Sequence, residues 1–267
     1  MLSVTQLAGL GGARDTHFLY DIITRQGLLS SALSCLDAAD PLSYTSGQTI
    51  VDRVGGNNHF LGSTSGADAT DPALVGPAGD AGAYFSTDGT DFFIRTAAQT
   101  FDANWHKDNG AFTLVVLYYP LVTKSSFTEL WANRIPGASN AGVLLRVNVT
   151  TGLLSLRRSV TTTTTATDNS SAAPVGGAWN FLAAGWDDAS SLVRMQINAT
   201  HESQAGTPST DTDPVSGVQY QMADGAGVTS WESGERWAGM MAFNRLLTES
   251  EMLNLRNAVA STRPGYA

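Results

Sequence analysis

The side chains best suited to recognition chemistry in this 267-residue sequence are its six tryptophans, Trp105, Trp131, Trp179, Trp186, Trp231 and Trp237. An indole presents a flat apolar face that packs on the C–H face of a sugar, provided neighbouring amides or hydroxyls can bond the sugar hydroxyls. Trp179, Trp186 and Trp237 fall in runs that read as core strands, where tryptophan is packing material. Trp105-His106-Lys107 and Trp231-Glu232 instead have loop-like flanks containing Asn104, Asp108, Asn109 and Ser230. Trp105, His106, Asn109 and Trp231 are therefore the expected carbohydrate-binding residues, with both indoles exposed. Covalent and metal chemistry find less support. Gly137-Ala-Ser139-Asn-Ala-Gly142 misses the G-x-S-x-G elbow by one residue and precedes a strand rather than a helix. Cys35, the one cysteine, has no disulfide partner within the chain and sits in an apolar strand context that reads as core. His17, His59, His106 and His201 are scattered, so neither a zinc site nor a catalytic constellation is expected.

Such residues would be positioned by strands. Charged residues are 15% of the chain, below the roughly 25% usual in soluble domains, and Ser and Thr are abundant, which suits exposed β-sheet. The net charge of -9 argues against neutralising nucleic-acid phosphates, so nucleic acid is not an expected partner. The longest apolar run, Phe112 to Val122, is interrupted by Pro120 and has strand length, well short of the ~18–20 residues that span a bilayer. No membrane insertion is expected, and Met1 to Leu10 lacks the basic start of a cleavable export signal. Runs with β-branched or aromatic enrichment occur at Ala83–Phe85, Phe92–Thr96, Phe112–Tyr119, Glu129–Asn133, Val143–Val149, Leu153–Val160, Trp179–Trp186, Leu192–Asn198 and Trp237–Phe243. Turn signals separate them, notably Thr151-Gly152 and Asp187-Asp188-Ala189-Ser190. This pattern predicts an all-β, two-sheet antiparallel sandwich. The polar tracts from Thr161 to Ser171 and from Gln204 to Pro214 read as long loops.

Two helices flank the strands. Phe18, Leu19, Ile22 and Ile23 have amphipathic spacing, with Asp15 or Thr16 as an N-cap and Gly27 as a stop. This helix, preceded by a small-residue arm, either packs on its own domain or docks with the arm on another subunit. Thr248-Glu-Ser-Glu251 has the form of a capping box, with Leu247 and Met252 as a hydrophobic staple.

The order of these motifs resembles the concanavalin A-like, laminin-G-like jelly roll of the bacteriophage virion type. The carriers are Cys35-Leu-Asp-Ala-Ala-Asp-Pro-Leu-Ser-Tyr44, then Thr49-Ile-Val-Asp-Arg-Val-Gly-Gly-Asn-Asn58, and the strand-turn Tyr84-Phe-Ser-Thr-Asp-Gly89. They continue with the hairpin Trp179–Trp186 and Leu192–Asn198, and the closing strand and capped helix from Trp237 to Leu255. The resemblance implies a short N-terminal helix and a capped C-terminal helix around one jelly roll of residues 32–267, with residues 1–31 outside it as an arm and anchor.

Some relatives of this fold hydrolyse glycans with carboxylates spaced Glu-x-Asp-x-x-Glu or Glu-x-Asp-x-Glu on one strand face, and no such spacing occurs here. Others bind calcium at loop ends, which makes Asp88, Asp91, Asp187 and Asp188 weak calcium candidates, with Asp211 and Asp213 in another loop. The alternative is that these aspartates are turn formers bonding their own backbone, and no dedicated twelve-residue calcium loop is present. No other cofactor is expected. The function implied is that of a non-enzymatic virion structural protein, made in the host cytoplasm and displayed on the virion surface as a capsid decoration, head fibre or tail appendage. It would assemble as a homo-oligomer, contact other virion proteins through residues 1–31 and touch host surface polysaccharide. The alternatives are a secreted or surface polysaccharide-binding adhesin and a glycan-active enzyme.

Overall fold

The computed structural model describes residues 17–62, 66–95, 102, 104–134, 142–161, 164–212, 219–222 and 231–266. Among them, β1 (Ala32–Asp37), β4 (Ala73–Val75), β5 (Tyr84–Ser86), β7 (Ala111–Tyr119), β12 (Asn180–Asp187), β13 (Leu192–Ile197), β14 (Thr200–Ala205) and β16 (Arg236–Phe243) form one sheet. The second sheet holds β2 (Thr49–Ile50), β3 (His59–Leu61), β6 (Phe93–Arg95), β8 (Thr128–Arg134), β9 (Val143–Val147), β10 (Leu154–Ser159), β11 (Thr165–Asn169) and β15 (Gln219–Met222). The first sheet runs β14-β13-β12-β7-β16-β5-β4, with β1 also on β16, and the second runs β11-β10-β9-β8-β15-β6-β3-β2. Neighbouring strands in both sheets pair antiparallel, giving the expected jelly-roll-like sandwich.

Alternation along β7 shows how the layers stack. Phe112, Leu114, Val116 and Tyr118 face the second sheet, while Val115 and Leu117 face the opposite side, and all six are fully buried. The sheet is thus covered on both faces, which explains why Phe112–Tyr119 reads as a continuous apolar run rather than an alternating one. The inter-sheet core is aromatic: Phe85 packs edge-on against Tyr44 and Phe93, and Trp237 lies 5.1 Å from Phe93. On the outer face, Val115, Leu117, Phe181, Ala183, Met241 and Phe243 lie under α1 (Leu19–Arg25) and α2 (Glu249–Thr262). A register shift between Trp237 and Gly239 re-phases β16. Glycine is needed there, because a Cβ on Gly239 would stand 2.6 Å from Leu19 Cδ1 and 2.8 Å from the Leu36 carbonyl oxygen.

The N-terminal helix belongs to the sandwich. Leu19, Ile22 and Ile23 have no exposed surface. Asp37, from the Asp-Ala-Ala-Asp-Pro segment at the end of β1, binds Arg263 Nη2 at 2.5 Å and accepts from the backbone amides of Leu19 (2.8 Å) and Ala39 (2.9 Å). Arg263 Nε also donates to the His17 carbonyl at 2.9 Å. One buried ion pair therefore joins α1, β1 and the chain after α2. The N-cap position is Phe18, which supplies no side-chain cap, and Asp37 takes the first helical amide instead. Asp15 and Thr16, the expected caps, and the rest of residues 1–16 lie outside the described residues. At α2 the capping box is present in both directions, Glu251 N to Thr248 Oγ1 at 3.2 Å and Thr248 N to Glu251 Oε2 at 2.8 Å.

The two polar tracts depart from expectation only in part, residues 206–212 running as loop as expected. Thr165–Asn169 is β11, and Gln204 and Ala205 finish β14, the outermost strands of their sheets on that side. An edge strand facing water on one side and one edge carries polar residues, so hydrophobic alternation does not reveal it.

Candidate functional site

The loop from Asn104 to Gly110, which leads into β7, is built on packing and on carboxylate clamps. Trp105 stacks on Phe112 with ring centroids 4.6 Å apart and planes 10° from parallel, and sits 6.1 Å from Trp131. His106 lies 3.6 Å from the Asp211 carboxylate. Asp188, in the turn after β12, accepts from the amide of Asn109 at 3.0 Å and from that of Ser209 at 2.6 Å, and the Asp211 carbonyl takes the amide of Asp108 at 3.0 Å. These contacts hold Asn109 at φ +60°, a left-handed conformation that asparagine tolerates better than most residues. Gly110 closes the loop: a Cβ there would meet the carbonyl oxygens of Trp105, Asn104 and Lys107 at 2.5, 2.8 and 2.9 Å.

The outcome is a cleft of about 340 Å³, lined by this loop together with Leu33, Ala111 and Asn244. Asn104, Asp108, Asn109 and Asn244 are exposed and Lys107 is half-buried. Among the described residues, none of these five side chains bonds another protein group. Three carboxamides, an ammonium and a carboxylate thus surround one concavity with their donors and acceptors available, on a backbone fixed from beneath.

The expected site residues divide accordingly. Asn109 reaches the cleft. Trp105 lines it but is only 4% exposed, and His106 is 1% exposed behind it. Trp231 is fully buried, its ring 5.4 Å from Tyr118 and its indole Nε1 donating to the Glu129 carbonyl at 2.9 Å. Neither indole is an exposed platform. Both expectations are corrected for one reason: polar flanks describe the backbone's path over the surface, whereas these side chains turn inward and fill the space between the sheets. Lys107, Asp108, Asn104 and Asn244 complete the cleft; the first three were visible only as flanks of Trp105, and Asn244 carried no signal of its own.

Three of the four calcium candidates bond within their own turns, and Asp188 bonds amides of distant loops. Asp88 accepts from the amide and hydroxyl of Thr90 at 2.9 and 2.8 Å, and these bonds hold its carboxyl below the usual range. Asp91 is buried, accepts from the Asp88 amide at 2.8 Å, and is pushed up to about 6 by desolvation, with the neighbouring carboxylates Asp88 and Asp71 adding to the shift. Asp187 accepts from the Ser190 hydroxyl at 2.9 Å, and Asp188 makes the two clamps above. Among the described residues no group of three acidic, histidine or cysteine side chains is arranged to hold a metal ion. Asp213 lies outside those residues. Cys35 is buried beside Asp37 and Asp52, and burial pushes its thiol well up, as suits a core residue.

A second groove, also about 340 Å³, is lined by residues 120–124, Val147–Val149, Gly152, Ala173, Pro174 and Gly176. Behind its Lys124 lies a buried cluster in which Lys124, Tyr118 and Thr128 all donate to Glu235, Thr128 at 3.0 Å. Burial and the Glu235 carboxylate push the Tyr118 hydroxyl well up, so it stays protonated and donates to that carboxylate. With Tyr118 on one sheet and Thr128 on the other, the cluster ties the sandwich together.

No protein-family model and no curated protein matches this chain. Solved structures do. Trypanosoma rangeli sialidase superimposes with a TM-score of 0.58 at 12% identity, over 88% of this chain and 34% of that one. The binding domain of botulinum neurotoxin DC, solved in complex with rat synaptotagmin II, gives 0.58 at 11%, over 87% and 52%. A structure of botulinum neurotoxin type C, whose cell entry is described as dependent upon interaction with two ganglioside molecules, gives 0.58 at 11%, over 88% and 53%. The chain spans about a third of the sialidase and about half of the toxin chains. At such identity the likeness is one of fold: a β-sandwich that occurs both within an enzyme and within toxin binding domains. None of these three is a virion protein.

Proposed function

We propose that this chain is a non-enzymatic glycan-recognition module and that its binding site is the cleft of the Asn104–Gly110 loop. The observation that carries the reading is the set of five unengaged polar side chains, Asn104, Lys107, Asp108, Asn109 and Asn244, around a cleft whose backbone is clamped by Asp188 and packed from below by Trp105. Carboxamides offer paired donors and acceptors that match adjacent sugar hydroxyls, and a preformed frame spares the ligand the cost of ordering the loop. The botulinum neurotoxin C structure, described as engaging gangliosides, supports the class of ligand. Display on a virion, which the sequence resemblance implies, has no counterpart among the three structures named above and is not part of this proposal.

The test is a glycan array probed with the full chain and with Asn109→Gly. Glycine accepts φ +60° without strain, so this variant removes the carboxamide and leaves the loop intact. The reading expects array signals that fall at least about tenfold in the variant, the scale of one or two lost hydrogen bonds. Signals that are unchanged in Asn109→Gly would place binding elsewhere, and no signal at all would remove the glycan role.

A further inference from the structure

We infer that this cleft selects uncharged glycans and rejects acidic ones, an inference that rests on the glycan reading above and narrows it. The charges around the cleft favour this selection. Asp108 stands exposed on the rim. Asp188 bonds the amide of Asn109, Asp211 bonds that of Asp108 through its carbonyl, and Asp187 is the strand partner of Ala111. Four carboxylates therefore belong to residues of the cleft, to residues bonded to it, or, for Asp187, to its partner across the sheet. Among the described residues Lys107 is the one cation lining the cleft. Arg245, next to Asn244, is committed to Glu251 through two bonds of 2.8 and 2.7 Å, and His106 faces Asp211. The whole chain adds a net charge of -9.

A sialic acid or uronate carboxylate brought to this cleft would meet repulsion that a neutral sugar does not. Carboxylate recognition is commonly the work of a forked arginine, and among the described residues no arginine lines the cleft. The free groups that remain, three carboxamides with Lys107 and Asp108, suit hydroxyls and acetamido groups. The preference would be the reverse of that suggested by the neighbours' names, which include a sialidase in complex with sialic acid.

The experiment is an array that carries each glycan in its neutral and its sialylated form, probed with the full chain, Asn109→Gly and Asp108→Asn. The expected result is Asn109-dependent binding to neutral members, with sialylated partners weaker by at least about fivefold at low salt and the gap closing as salt rises from about 0.02 to about 0.5 M. Asp108→Asn should narrow the gap at low salt. Asn109-dependent binding that is equal or stronger on sialylated members would overturn the inference and leave the glycan reading standing. Absence of any Asn109-dependent signal would overturn both.

Discussion

Arg263→Met removes the cation from the Asp37–Arg263 pair while keeping most of the buried stem. Both side chains have no exposed surface, so the variant leaves a carboxylate in the interior without its counterion. Removing one partner of a buried pair costs about 3–5 kcal/mol, and the lost bond to the His17 carbonyl adds about 1 kcal/mol. Asp37 keeps the amides of Leu19 and Ala39, which places the expected loss near the lower end, about 3–4 kcal/mol. With a urea slope of about 3 kcal/mol/M, the midpoint should fall by roughly 1 M, read by far-UV circular dichroism. Adding Asp37→Asn should recover part of the loss, because the uncompensated charge disappears while a carbonyl acceptor remains for Leu19. A loss under about 1 kcal/mol in Arg263→Met, or a double variant that loses the sum of the two single losses, would refute the role assigned to the pair.

Further outcomes follow from the same geometry. Trp105→Ala should cost about 3–5 kcal/mol of stability, seen as a lowered unfolding midpoint even without ligand, because it empties the space over Phe112. Thr248→Ala should cost about 1 kcal/mol by denaturant titration through loss of the α2 cap. Glu251, held at about 2 chiefly by its bonds to Arg245, contributes stability that is present above its ordinary 4.5 and lost as pH falls toward 2; Glu251→Gln should flatten that acid limb. Asp91 acts in the opposite sense: its folded-state value of about 6 lies above the ordinary 3.8, so its burial penalises the fold above pH 6 and ceases to do so below about 4. Asp91→Asn should therefore gain about 1 kcal/mol over wild type at pH 8, a figure discounted for solvent near the loop, and nothing at pH 4.

Long central strands were legible because burial on both faces demands apolar residues at nearly every position, as in Phe112–Tyr119 and Trp179–Trp186. The α2 capping box was legible because its bonds join residues three apart in sequence. Other features were not. The first amide of α1 bonds Asp37, eighteen residues away, and nothing local to Phe18 announces it. The edge strands β11 and β14 carry polar residues that read as loop. The loop of the cleft is marked by its flanks but misread at its centre: Trp105 draws attention to residues 104–110, yet its side chain packs inward on Phe112 beneath the cleft. Asn244 joins the cleft only because β16 ends beside the start of β7, a pairing fixed by sheet topology.

The most direct measurement of the binding-site assignment is an amide chemical-shift titration of the ¹⁵N-labelled chain with the best neutral glycan from the array. The account predicts that the largest shifts map to Asn104, Lys107, Asp108, Asn109, Gly110 and Asn244, and that they vanish in Asn109→Gly. Shifts centred on residues 120–124 and 147–152, in the second groove, would contradict it.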